Sequence, residues 1–139
     1  MPVTHIPVTV GDVTAYTVLA DNAGLVHYVP DLTSTCTFTL PTPKAGMWFE
    51  FAYIGDAADA ASWVIDTTSD TYYFKGGLMF ADQDGDALAP IDGDGNSNSK
   101  LTVVTPEPGT KIRVESGNGT NWYLSGYVLS ATIPSFADQ

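Results

Sequence analysis

Basic residues are scarce in this chain. Only five of its 139 residues are Lys or Arg, against sixteen Asp or Glu, which leaves a formal net charge of −11. A surface this acidic is repelled by the phosphates of nucleic acids and by anionic lipid headgroups. We therefore exclude nucleic acids and membrane surfaces as partners.

Cysteine is nearly absent as well. The sequence contains Cys36 alone, so no disulfide bond can form within the chain. Cys36 stands in STCTFTL, an alternating stretch with no basic residue or histidine to stabilise a reactive thiolate. The pattern predicts a small buried residue in a β-strand and not a catalytic thiol.

Long apolar runs are also missing. No segment approaches the roughly twenty apolar residues that cross a bilayer. The first residues, MPVTHIPVTVGD, lack the basic start and the apolar run of a secretory leader. We expect a soluble protein made in a cytoplasm, from which lysis or assembly into a particle would carry it without a leader.

Groups for acid–base catalysis are few. Neither of the two histidines, His5 and His27, stands in a hydrolase, phosphate-binding or metal-binding motif. Glu50 shares a strand face with Trp48 in MWFEFAYI, an arrangement that could serve a sugar platform or a glycosidase acid. Such a pattern is more often the outer face of a half-buried strand. The sequence therefore predicts a protein that is not an enzyme.

Strand signals dominate what is present. Alternating stretches rich in Val, Thr, Tyr and Phe recur about every ten residues, with Gly, Pro, Asp and Asn between them. This spacing predicts an all-β fold, an antiparallel, jelly-roll-like β-sandwich, with a β-barrel or β-tulip-like fold as the alternative. The predicted strands cover residues 5–10, 13–19, 24–29, 34–40, 47–54, 62–67, 71–75, 77–81, 100–105, 110–115 and 121–130.

The two ends of the chain differ from the middle. Residues 1–10 contain Pro2 and Pro7, which suits an extended N-terminal arm or an edge strand. Residues 134–139 begin with a proline and predict a flexible tail. A single β domain over residues 11–133 is expected between them.

A long acidic segment, DQDGDALAPIDGDGNSNS, spans residues 82–99. Its alternate carboxylates could converge on Ca²⁺, which takes six to eight oxygen ligands. Neither run follows the EF-hand pattern, because Ala87 and Ser97 stand where glycine is required. A solvated flexible loop is the simpler interpretation, and a calcium site is the alternative. The candidate ligands are Asp82, Asp84, Asp86, Asp92 and Asp94.

The C-terminal segment KIRVESGNGTNWYLSGYV predicts a β-hairpin that turns at its Gly-Asn stretch. Trp122 then shares one strand face with Leu124, whereas Tyr123 and Tyr127 share the other. Gly126 in mid-strand indicates a bulge or a close backbone approach. The candidates for aromatic contact with a partner are Trp48, Trp122, Tyr123 and Tyr127.

This hairpin, together with TFTLPTPKAGMWFEFAYIG, resembles segments of the head-decoration, or capsid cement, proteins of tailed bacteriophages. The resemblance covers residues 34–55 and 111–130 and includes no catalytic residue. It implies a homotrimer that binds the major capsid protein at three-fold positions on the virion surface, without a cofactor. It further implies that an N-terminal arm contacts the capsid through Pro2, Val3, His5, Ile6 and Pro7.

Three functions remain open from the sequence. A structural virion protein is the leading interpretation. A phage tail, fibre or carbohydrate-binding module is the second, with Trp63, Tyr72 and Tyr73 as further stacking residues. A small β-sandwich hydrolase is the third, and the lack of an acid–base constellation argues against it.

Overall fold

The computed structural model describes residues 7–139, and over this range the chain is all-β with a single short 3₁₀ turn at Ala20–Asn22. The predicted all-β class is confirmed. The twelve strands of the described range are β1 (Val8–Thr9), β2 (Ala15–Thr17), β3 (Val26–Val29), β4 (Cys36–Thr39), β5 (Met47–Tyr53), β6 (Trp63–Asp66), β7 (Phe74–Asp82), β8 (Leu88–Asp92), β9 (Lys100–Val103), β10 (Lys111–Ser116), β11 (Trp122–Ser130) and β12 (Ser135–Ala137).

These strands form two sheets that pack face to face, which confirms the β-sandwich. One sheet has seven strands in the order β1-β3-β5-β10-β11-β7-β8, and the other has five in the order β12-β9-β6-β4-β2. Apolar side chains alternate inward along both sheets and meet in one core. Phe38 of β4 and Phe51 of β5, for example, have ring centroids 5.3 Å apart across the interface.

The strand pairing differs from the expected all-antiparallel jelly roll. Half of the ten strand pairs in residues 7–139 are parallel, among them β1–β3, β3–β5, β2–β4 and β4–β6. The reason is the path of the first six strands, which enter the two sheets in turn. A chain that crosses to the other sheet and back returns in its original direction, so successive strands of one sheet run parallel.

Two predicted strands, 71–75 and 77–81, are one continuous strand, β7. Gly76 and Gly77 lie inside this strand. A Cβ on Gly77 would lie 2.2 Å from the carbonyl oxygen of Ile91. Glycine therefore allows the backbone of β8 to approach β7 closely at this point.

Two strands lie where the sequence predicted none. β8 falls within the acidic segment 82–99 and forms an antiparallel hairpin with β7. β12 falls within the tail predicted to be flexible and pairs with β9. Beyond it, the Gln139 side-chain amide donates a hydrogen bond of 2.9 Å to the carbonyl oxygen of Thr67. Backbone and side-chain hydrogen bonds thus hold this tail on the five-stranded sheet.

The predicted arm is described only from Pro7 onward. Val8 and Thr9 pair with His27 and Tyr28 of β3, so this end of the arm belongs to the seven-stranded sheet. Pro2, Val3, His5 and Ile6 lie outside the described residues. From residue 7 to the end, no helix has the length and apolar character needed to span a membrane.

Candidate functional site: the outer face of the seven-stranded sheet

Four neighbouring strands of the seven-stranded sheet, β5, β10, β11 and β7, present one continuous outer surface. Their register places side chains of the same face in rows across the strands. One row runs from Trp48 through Glu115 and Tyr123 to Lys75. Another runs from Ala52 through Lys111 and Tyr127 to Met79. We call this surface the aromatic–basic face, and its principal residues are Trp48, Lys75, Met79, Lys111, Arg113, Tyr123 and Tyr127.

Large apolar side chains are exposed on this face. Tyr123 and Tyr127 are 45% and 40% exposed, and Met79 beside Tyr127 is 37% exposed. The two tyrosines are four positions apart along β11, a distance of about 13 Å in an extended strand. On the neighbouring strand β8, Leu88 extends the apolar surface with 63% exposure. Large apolar groups held exposed on a rigid sheet are typical of binding surfaces.

Trp48 and Arg113 form a stacked pair on the same face. The Arg113 guanidinium carbon lies 4.0 Å from the centroid of the Trp48 ring, a cation–π contact. The Arg113 guanidinium also donates a hydrogen bond of 2.9 Å to the Glu115 carboxylate. The guanidinium therefore covers one face of the half-buried indole, and the Arg113 side chain stays 37% exposed.

Charge on this face differs from charge on the rest of the molecule. It carries Lys75, Lys111 and Arg113, three of the five basic residues, and three of the sixteen acidic residues, Glu50, Glu115 and Asp92, the last lying beside Gly77 of β7. An acidic protein partner is therefore repelled less by this face than by the rest of a chain whose net charge is −11. The face is therefore the part of the surface best suited to contact another protein.

Three of the four predicted aromatic contact residues lie together on one surface, and the fourth lies in the core. Trp48, Tyr123 and Tyr127 lie on the aromatic–basic face. Trp122 points to the opposite side of β11 and is fully buried in the core, so its prediction as a contact residue is wrong. Trp63 is fully buried too and is no stacking platform. Sequence reasoning missed Arg113, although strand alternation alone puts it opposite Ile112 and Val114.

The acidic segment does not gather its five carboxylates in one place. Asp82 and Asp92 stand at opposite ends of the β7–β8 hairpin, since Ala81 pairs with Leu88 and Gly77 with Asp92. Asp82 is therefore five residue steps, or about 16 Å, along β7 from Gly77, the partner of Asp92. Five carboxylates from both runs therefore cannot serve one Ca²⁺.

Within each run, a carboxylate bonds to its own turn. Asp82 accepts hydrogen bonds from the backbone N–H groups of Asp84 and Gly85. Asp94 accepts bonds from the Ser97 hydroxyl and from backbone N–H groups, and these bonds hold the pKa of Asp94 well below its usual range. Residues 7–139 contain no group of three or more His, Cys, Asp or Glu side chains placed to hold a metal. A calcium site in a single turn stays a prediction.

A second polar cluster has a structural role. Asp59 is nearly fully buried, and its carboxylate accepts backbone hydrogen bonds from Leu32 and Ala61, at 3.2 and 3.0 Å. Nearby, the Tyr53 hydroxyl donates a bond of 2.6 Å to Asp31. Burial raises the pKa of Asp59. These bonds tie the loop after β3 to the loop after β5, and the buried carboxylate faces backbone donors.

His27 lies in the core and not at a metal centre. It is fully buried among the rings of Tyr16, Phe49 and Phe51, with centroids 5.4–6.1 Å away. Neither ring nitrogen has a hydrogen-bond partner among the described residues. Burial lowers the pKa of His27, because the charged imidazolium would lose its hydration.

The buried histidine predicts a loss of stability in mild acid. Because the folded-state pKa is lowered, the unfolded chain binds the extra proton more readily as the pH falls below about 6.5. Protonation of His27 therefore costs no stability above that pH, and below it the cost increases as the pH falls. We expect the free energy of unfolding to fall more between pH 7.5 and pH 5.5 in the wild type than in His27→Leu, as measured by urea denaturation. Equal losses in both proteins would contradict this.

Comparison with protein-family models finds no match to this chain. Comparison with curated proteins finds none either.

Proposed function

We propose that this chain is a structural virion protein, which decorates and stabilises a phage capsid by binding the major capsid protein. The observation that carries the proposal is the aromatic–basic face, a rigid surface of exposed tyrosines, Trp48, Met79 and Arg113. Aromatic residues, Met and Arg are enriched at protein interfaces, and Tyr, Trp and Arg dominate binding energy there. The resemblance of residues 34–55 and 111–130 to head-decoration proteins supplies the partner.

Three further features belong to the same proposal. The protein is made in the host cytoplasm and located on the capsid surface. It assembles as a homotrimer at three-fold positions, as the resemblance implies. Residues 1–10 serve as a capsid-contacting arm, and the pairing of Val8 and Thr9 with β3 would anchor that arm to the seven-stranded sheet that also carries the aromatic–basic face.

The proposal predicts that the exposed tyrosines control attachment. We expect Tyr123→Ser combined with Tyr127→Ser to weaken binding to purified capsids by roughly 30-fold or more, because a loss of about 1 kcal/mol at each of two interface tyrosines amounts to about 2 kcal/mol. Co-sedimentation of the protein with heads over a concentration series measures this change. Both tyrosines point away from the core, so the double variant should keep the wild-type melting temperature.

A matched control replaces an exposed apolar residue elsewhere. Ile133 is 58% exposed and lies in the segment between β11 and β12, outside the four strands of the aromatic–basic face. Ile133→Ser should bind heads like the wild type. If the tyrosine double variant binds heads as tightly as the wild type, the proposed docking surface is wrong. If the wild type itself does not bind heads, the proposed capsid function is wrong.

A second candidate function is carbohydrate binding, as in a tail or fibre module. The observation that favours it is the line of Tyr123, Ser125 and Tyr127 along β11, in which a hydroxyl stands between two exposed rings. Sugars stack on such rings and hydrogen-bond to such hydroxyls. Glycan binding that is lost in the tyrosine double variant, together with no binding to heads, would favour this function.

A further inference from the structure

The outermost strand of the five-stranded sheet, β2, has a free edge. β2 pairs with β4 on one side and has no strand on the other within the described residues. Its flanking residues Val13 and Leu19 are 40% and 54% exposed, and Ala15 and Thr17 are exposed as well. A free edge of this kind is a template for pairing with another strand.

The hydrogen bonds of β2 identify which backbone groups are free. The Thr37 N–H donates to the carbonyl oxygen of Thr14, and the Val18 N–H donates to that of Thr39. In a parallel ladder the bonding residues alternate, so Thr14, Tyr16 and Val18 face β4. The N–H and C=O groups of Ala15 and Thr17 therefore point away from the sheet, toward the open edge.

This edge lacks the protection that β8, an edge strand of the seven-stranded sheet, has. In β8 the bonds of Ala87 and Gly93 to β7 leave Leu88, Pro90 and Asp92 facing outward. Pro90 has no N–H to donate, and Asp92 adds a charge, so strand addition is blocked there. By contrast, residues 13–19, VTAYTVL, contain no charge and no proline, in a chain of net charge −11. Two copies of this protein can therefore pair along residues 13–19 without a charge in the paired segment, although Asp12 and Asp21 flank it.

The free N–H and C=O groups of Ala15 and Thr17 can pair with the same groups of a second copy. In an antiparallel pair of two β2 strands centred on Tyr16, Ala15 of each copy stands opposite Thr17 of the other. Both are outward-facing residues, so the two Ala15–Thr17 pairs exchange four backbone hydrogen bonds. The same register places the exposed Leu19 next to the exposed Val13 of the other copy, on the outer side of the sheet.

We propose that β2 is a homodimer interface, in which two copies join their five-stranded sheets through antiparallel β2 strands around a two-fold axis. Such an isologous contact closes on itself. It leaves the aromatic–basic face free, since that face belongs to the other sheet. The dimer is a state of the free protein in solution, whereas the trimer implied by the resemblance forms at three-fold positions on the capsid. A trimer already present in solution would overturn the β2 contact.

Light scattering after size exclusion, with the protein at high micromolar concentration, tests the proposal. The wild type should have about twice the chain mass of 14.8 kDa. Thr17→Pro removes an outward N–H and should yield a monomer. Leu88→Pro makes the same change at the outward position of β8 and should remain a dimer. A monomeric or trimeric wild type, or a dimeric Thr17→Pro protein, would overturn the interface.

A cross-linking experiment tests the register without relying on a proline variant. Opposed residues of a hydrogen-bonded antiparallel pair have Cα atoms about 5.5 Å apart, within the range of a disulfide. A mixture of Ala15→Cys and Thr17→Cys proteins should therefore form disulfide-linked heterodimers on oxidation, and each variant alone should form far fewer. Cys36 is buried and does not compete. Equal cross-linking in the mixture and in the separate variants would reject this register.

Discussion

Replacing Trp122 with alanine is expected to destabilise the protein by about 3–5 kcal/mol. Trp122 is fully buried on the inner face of β11, and its ring centroid lies 5.9 Å from that of Phe49. Removing an indole from such a position leaves a cavity that the surrounding strands cannot fill. The indole N–H of Trp122 has no hydrogen-bond partner among the described residues. The loss of stability therefore comes from packing and not from a hydrogen bond.

Urea or guanidinium denaturation followed by circular dichroism measures this loss. The matched control is Tyr123→Ala, which changes the next residue of the same strand. Tyr123 points outward and is 45% exposed, so its removal should cost less than about 1 kcal/mol. A Trp122→Ala protein as stable as the Tyr123→Ala protein would contradict the inward orientation of Trp122.

Replacing Gly126 with alanine is expected to destabilise the protein by about 2–5 kcal/mol, since backbone strain and overpacking both contribute. Gly126 has a φ of 139°, a conformation that residues with a Cβ rarely adopt. A Cβ there would also lie 2.2 Å from the carbonyl oxygen of Lys111 on the neighbouring strand β10. The bulge or close approach indicated by the sequence is therefore a close approach of two backbones.

The pairing of β11 with β7, on the other side of β11, is interrupted at Gly126. Pairing with β7 passes from Leu124–Gly76 directly to Tyr127–Met79, so Ser125 and Gly126 have no partner in β7. An alanine at 126 would push β10 and β11 apart beside Tyr127. We therefore expect Gly126→Ala to weaken partner binding at the aromatic–basic face as well as to lower stability.

Thermal denaturation tests the Gly126→Ala prediction, with Gly117→Ala as the control. Gly117 lies in the turn between β10 and β11, its φ is not positive, and a Cβ there would meet nothing within 4 Å. That variant should melt close to the wild-type temperature. If the two variants melt at the same temperature, the close approach at Gly126 has no energetic importance.

Strand positions and strand faces could be predicted from the sequence because both are local properties. Alternation placed Phe49 and Phe51 on one side of β5 and Trp48 and Glu50 on the other, and the structure confirms this. The same pattern separated Trp122 from Tyr123 in β11. Alternation does not indicate which face is covered by the second sheet, and for that reason buried Trp122 was grouped with exposed tyrosines.

Composition misled the predictions for two segments. The strand β8 was predicted as loop because Asp, Pro and Gly are rare inside sheets. Those residues are compatible with an edge strand, where Pro90 needs no partner for its missing N–H. The tail after Pro134 was predicted to be flexible, but three residues pair with β9 because that sheet edge was free to receive them.

By itself, the sequence determined the all-β class, most of the strands, the alternation of inner and outer faces, and the acidic net charge. Only the tertiary structure decided the parallel pairing, the separation of the two acidic runs, and the assembly of Trp48, Arg113, Tyr123 and Tyr127 into one surface. The physical reason is the range of the interactions. Side-chain alternation and turn chemistry act over a few residues, whereas the choice of neighbouring strands depends on how the whole chain crosses between the two sheets.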